Sequence, residues 1–116
     1  RRVNLIQEQV ASTKQNTEDA IVDAITAIKL AAADPNADQE LLNQARNLHR
    51  KAQFMWDFVS AENSTGFHNP EYALKILAES TDLARQAQML AAQSVNDMSL
   101  LTTGTFYQTS ESSTAP

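Results

Sequence analysis

Between Arg1 and Ala33 the chain has neither glycine nor proline, and Val3, Ile6, Val10, Thr13, Thr17, Ala20, Ala24 and Ala27 recur at alternating three- and four-residue steps. That spacing holds one stripe on one side of a helix. It cannot be laid on a strand, whose side chains alternate with a period of two. A helix of this extent is about 50 Å long at 1.5 Å per residue. That is longer than a compact domain of this size needs, so the helix is expected to pack along something larger. Ile21, Ile25 and Ile28 widen its apolar face in the second half, whereas Gln7, Glu8, Gln9, Gln15 and Asn16 decorate the first.

Pro35, inside Ala33–Asp38, ends that helix, and Asn36 with Gln39 three residues later reads as a capping pair for the next one. The second helix is expected over about 37–61. Leu41, Ala45, Leu48, Ala52, Met55 and Val59 form its stripe, and Phe54, Trp56 and Phe58 form an aromatic end read as core. An irregular connection through Gly66, Phe67 and His68 leads to Asn69-Pro70-Glu71. Cap, first-turn proline and carboxylate there all agree on a helix start. This third helix, expected to about residue 96, carries Ala73, Ile76, Ser80, Leu83, Ala87, Leu90 and Ser94, a small-residue face suited to close packing. Beyond about Leu100 the periodicity gives way to Thr, Ser, Gly and Pro. The expectation is an all-α fold of three helices within residues 1–99, the first two forming a long hairpin, followed by an irregular tail over 100–116.

Charge and composition exclude several classes of function. The formal net charge is −5 and acidic and basic residues are interspersed, so no basic stripe for a phosphate backbone is present and nucleic acid is not an expected partner. No apolar run reaches the roughly 18 residues needed to span a bilayer. Absence of cysteine rules out disulfides, thiolate metal sites and the C-x-x-C-H attachment of a c-type haem within the chain. Glu62, Glu71, Glu79 and Asp82 are scattered, and neither a nucleophile triad nor a glycine-rich phosphate loop is visible, so the segment by itself offers no catalytic residue. His49, mid-helix in Leu48-His49-Arg50-Lys51, is expected on a polar face. His68 sits on a loop directly before a capped helix. On residue type alone a loop histidine is more often a surface or capping residue than a ligand. Two readings follow from the residues alone: a haem-free helical interaction or dimerisation module, and a haem-binding bundle drawing a second ligand from His49, Met55 or Met89.

The run Arg50-Lys51-Ala52-Gln53-Phe54-Met55-Trp56-Asp57-Phe58-Val59-Ser60-Ala61-Glu62-Asn63-Ser64-Thr65-Gly66-Phe67-His68-Asn69-Pro70 resembles the C-terminal region of the ammonia-forming, pentahaem cytochrome c nitrite reductases. Ala73-Leu74-Lys75-Ile76-Leu77-Ala78-Glu79-Ser80 continues the likeness. The resemblance is specific over about Gln44–Ala92 and compatible elsewhere. It implies a larger periplasmic oxidoreductase that reduces nitrite to ammonium, with haem c anchored outside these residues and His68 as the distal axial ligand to one haem iron. It also implies a haem-bearing remainder of the protein, a redox donor protein, and a homodimer built on long helices, for which Val10, Ile21, Ile25 and Ile28 are the suspects. The family's catalytic residues lie upstream of the matched region, so none is assigned here.

Overall fold

The computed structural model describes residues 2–64 and 69–102, with side chains from 5–63 and 69–102. Three helices make up nearly all of it: α1 over Arg2–Ala32, α2 over Gln39–Ser64 and α3 over Pro70–Ser94, followed by a 3-10 helix over Met98–Thr102. Cross-helix pairings fix their directions. Val10 clusters with Val59, Ala20 and Ala24 with Ala52, and Ala27 and Ala31 with Ala45 and Leu42, so α2 runs antiparallel to α1; Trp56 Nε1 adds a bond to the Lys14 carbonyl at 3.0 Å. Thr17 meets Leu77, and Asp23 meets Arg85, so α3 runs parallel to α1. The third helix packs more closely against both of the others than those two pack against one another.

The turn between α1 and α2 is built by aspartates. The Asn36 amide donates to Asp34 Oδ1 at 2.8 Å, which orders the turn around Pro35. Asp38 Oδ1 accepts from the Glu40 and Leu41 amides at 3.0 and 3.2 Å, so Asp38 caps α2, not Asn36. Its own amide donates to the Ser94 carbonyl at 2.8 Å, tying the turn to the end of α3. At that end Asn96 takes φ of 52°, and Asp97 N–H reaches back to the Ala92 carbonyl while Asn96 N–H reaches Gln93. This is a left-handed helix stop that satisfies carbonyls otherwise left open, with asparagine in the place glycine usually takes.

The core is a ladder of alanines. Ala20 and Ala24 of α1, Ala52 of α2, and Ala84 and Ala87 of α3 are all fully buried and meet in one cluster with Ile21. Nearer the α1–α2 turn, Ala27, Ala31, Leu42, Ala45, Ala91 and Leu100 form a second cluster; at the other end Val10, Val59, Ala73 and Leu77 form a third. Side chains this small let helix backbones approach closely, so the bundle holds much contact area with few large residues. Leu42 and Leu77 are the largest fully buried side chains, and truncating either to alanine is worth about 2–5 kcal/mol.

Several polar atoms inside this core find partners, whereas His49 Nε2 and Ser60 Oγ are enclosed without one. Ser80 Oγ donates to the Ala52 carbonyl at 2.7 Å, and the Thr17 and Thr81 hydroxyls lie 2.8 Å apart. The Asp23 carboxylate, almost wholly buried, is held at 2.9 Å by Arg85, whose guanidinium also reaches Gln88. Gln88 in turn donates to the Leu100 carbonyl at 3.0 Å, which fastens the 3-10 helix to α3.

Of the four residues suspected of crossing a dimer interface, Val10 and Ile21 are covered within the chain. Ile25 and Ile28 pack partly buried against the alanine clusters. The stripe is satisfied by α2 and α3. Outside it, α1 exposes Leu5, Val22 and Leu30.

Candidate functional site

The connection between α2 and α3 carries His68, the residue singled out as a haem ligand. His68 and the preceding Thr65, Gly66 and Phe67 lie outside the described residues, as do residues 103–116 of the tail. The anchors on either side are defined. Helix α2 runs through to Ser64, and α3 starts at Pro70 with Asn69 as its cap. Asn69 Oδ1 accepts from the Tyr72 amide at 3.1 Å, and its carbonyl accepts from the Ala73 amide at 2.9 Å. Proline in the first turn needs no amide partner and presets its backbone angle, so the residue next to His68 is held by both side-chain and main-chain bonds.

Beside these anchors lies a groove of about 450 Å³, walled by Ile6, Val10, Ala11 and Lys14 of α1, by Asn63, and by Asn69, Pro70 and Ala73. The Lys14 ammonium does not reach into solvent alone; it stands 4.8 Å from the centroid of the Trp56 ring. Trp56 therefore grips α1 twice, through its indole N–H and through its face.

The other aromatics of α2 are not core, contrary to the sequence reading. Phe54 is 71% exposed and Phe58 38% exposed. The reason is angular: at about 100° per residue, Phe54 lies about 180° around the helix from Ala45, and Phe58, Asn47, Arg50 and Lys51 fall on the same outer side. Phe58 meets Tyr72 of α3 edge to face, with ring centroids 6.4 Å apart and planes at 82°. Tyr72 is four positions past His68, so this aromatic surface adjoins the turn. The signal was present in the sequence: Phe54 and Phe58 are out of step with the Ala45, Ala52 and Val59 stripe.

His49 also departs from expectation. It is half-buried, not displayed on a polar face, and its Nε2 is enclosed without a hydrogen-bond partner. Burial, assisted by the neighbouring Arg50 charge, holds its pKa below the usual histidine value. Met89 is 40% exposed and Met55 half-buried. Among the described residues no three His, Cys, Asp or Glu side chains come together as a metal site. No described helix is long and apolar enough to cross a membrane.

Against known proteins, residues 1–115 match the cytochrome c552 family. The chain is 40% identical over 96 residues to cytochrome c nitrite reductase subunit NrfA of Nitratidesulfovibrio vulgaris, covering 79% of this chain and 18% of that protein. It is 34% identical over 62 residues to cytochrome c-552 of Parabacteroides distasonis, covering 53% of this chain and 13% of that protein. The chain thus corresponds to less than a fifth of either relative's length. No solved structure matches it significantly.

Proposed function

The chain belongs to the cytochrome c552 family, and on that premise we propose that it forms the C-terminal helical part of a longer, periplasmic multihaem cytochrome c that reduces nitrite to ammonium. In this reading His68 is the distal axial ligand of a haem attached elsewhere in the protein. The observation that carries it is the 40% identity to NrfA over 79% of the chain.

The residues present fit that division of labour. Cysteine is absent, so covalent attachment belongs to another part of the protein. In this reading His68 supplies one axial ligand and the proximal ligand comes from the haem-bearing remainder of the protein. A neutral imidazole nitrogen binds haem iron, and a six-coordinate iron supplies electron transfer, not an open position for substrate. The chain's own work is positional. Asn69 and Pro70 hold one side of the turn, Trp56 fixes the end of α2 to α1, and the alanine core sets the spacing between the helices that carry them. Outward-facing Leu5, Val22 and Leu30 of α1 leave apolar surface for a homodimer of long helices. A redox donor protein would deliver electrons to the haem-bearing part.

The test is the intact mass and visible spectrum of the protein isolated from its source. A mass well above 12.8 kDa with a strong Soret band is the expected result. A mass equal to this chain, with no haem absorption even after candidate partners are added, would leave a haem-free helical interaction module.

A further inference from the structure

The outer face of α2 exposes two adjacent cations in an acidic chain, with the exposed carboxylate of Asp57, which accepts from Gln53, at its edge. Arg50 and Lys51 are exposed there, one turn before Phe54, which at 71% is the most exposed large apolar side chain among the described residues. Phe58 extends the strip to Tyr72 and so to the anchors of the His68 turn. An exposed Phe54 and a half-covered Phe58 beside two cations are a poor surface to leave in water: part of their apolar area stays hydrated, and among the described residues no carboxylate pairs with either cation. Among the described residues the Arg50 guanidinium bonds a neutral amide, that of Asn47.

This pattern has a chemical complement. A haem edge is a flat apolar ring bearing two propionate carboxylates. Resting on the reading of this chain as part of a multihaem cytochrome, we infer that the outer face of α2 is a haem-packing surface. Phe54 and Phe58 cover the porphyrin edge, and Arg50 and Lys51 pair with its propionates. The relatives are more than five times the length of the matched region, so in a protein of that length there is chain enough beyond these residues to lay a haem over this face. Arginine and lysine near propionates offset their negative charge and favour the reduced iron, which carries one positive charge fewer.

The experiment uses the whole haem-bearing protein, with haem content measured first. Amine acetylation followed by mass spectrometry compares Lys51 with Lys75 and Lys29, both exposed on other faces. Lys51 should react about tenfold more slowly than either. In parallel, Arg50→Gln with Lys51→Gln should lower the midpoint potential of one low-spin haem in a spectroelectrochemical titration while leaving the haem content unchanged. Haem present with Lys51 as reactive as Lys75 overturns the inference and leaves the proposed function standing. Protection of Lys51 with no change in any potential assigns the face to polypeptide and overturns the haem as occupant. Absence of haem defeats the proposed function and this inference together.

Discussion

Replacing Ala87 by leucine tests whether the helices are set by their alanines. Ala87 is fully buried where Ala20 and Ala24 of α1 and Ala52 of α2 also converge with no exposed surface, so three added carbon atoms have no space to enter. Overpacking of this kind destabilises by about 1–3 kcal/mol through shifted backbones and strained rotamers. Alanine and leucine differ little in helix propensity, so the same change at Ala78, exposed on the same helix, should stay within about 0.5 kcal/mol. Urea unfolding of the chain, followed by circular dichroism at the helix band, separates the two. With a slope of about 1–3 kcal/mol per molar urea for a small protein, Ala87→Leu should lower the midpoint by about 1 M. Ala78→Leu should hardly move it. Equal midpoints for the two variants, or a higher one for Ala87→Leu, would refute close alanine packing as the determinant of helix spacing.

Other consequences follow from single contacts. Removing the α3 cap with Asn69→Ala deletes the bond to the Tyr72 amide and should destabilise the chain by about 1 kcal/mol, read in the same urea experiment. An unchanged midpoint would mean that the cap does not hold the turn's anchor. His49 should make stability fall at mildly acidic pH. Above its ordinary pKa of about 6.5 the imidazole is neutral whether folded or unfolded; below it the unfolded chain takes up a proton that burial and Arg50 deny the folded one. Stability therefore declines as pH drops through that value and levels off below the lower folded pKa. His49→Leu should flatten this part of the profile, and an identical pH dependence in the two proteins would contradict the assignment.

Much of this architecture was legible because helical periodicity survives in the choice of residues. The absence of glycine and proline from α1, and the Asn69-Pro70-Glu71 start of α3, translate directly into local backbone preference. The Asp38 cap was harder to see. Asn36 and Asp38 are both good capping residues, and the choice is made by the tie between Asp38 and Ser94, a contact between residues far apart in sequence. The aromatic residues of α2 were misplaced because hydrophobicity was weighed without angle: only Trp56 turns toward α1, while Phe54 points the opposite way to Ala45. The suspected interface residues Val10 and Ile21 had the right apolar character, but α2 and α3 cover them before any partner can. His49 was misread for a related reason, since its charged neighbours Arg50 and Lys51 lie on a different side of the helix. At His68 itself sequence physics was indecisive; the resemblance supplied the assignment of a ligand.

The most direct measurement of that assignment is electron paramagnetic resonance of the oxidised haem-bearing protein with and without His68→Ala. The account predicts that one low-spin ferric haem loses its signal and a high-spin signal takes its place, with total haem unchanged, because removing a distal imidazole opens the sixth position of one iron. The full set of low-spin signals in the variant would contradict it.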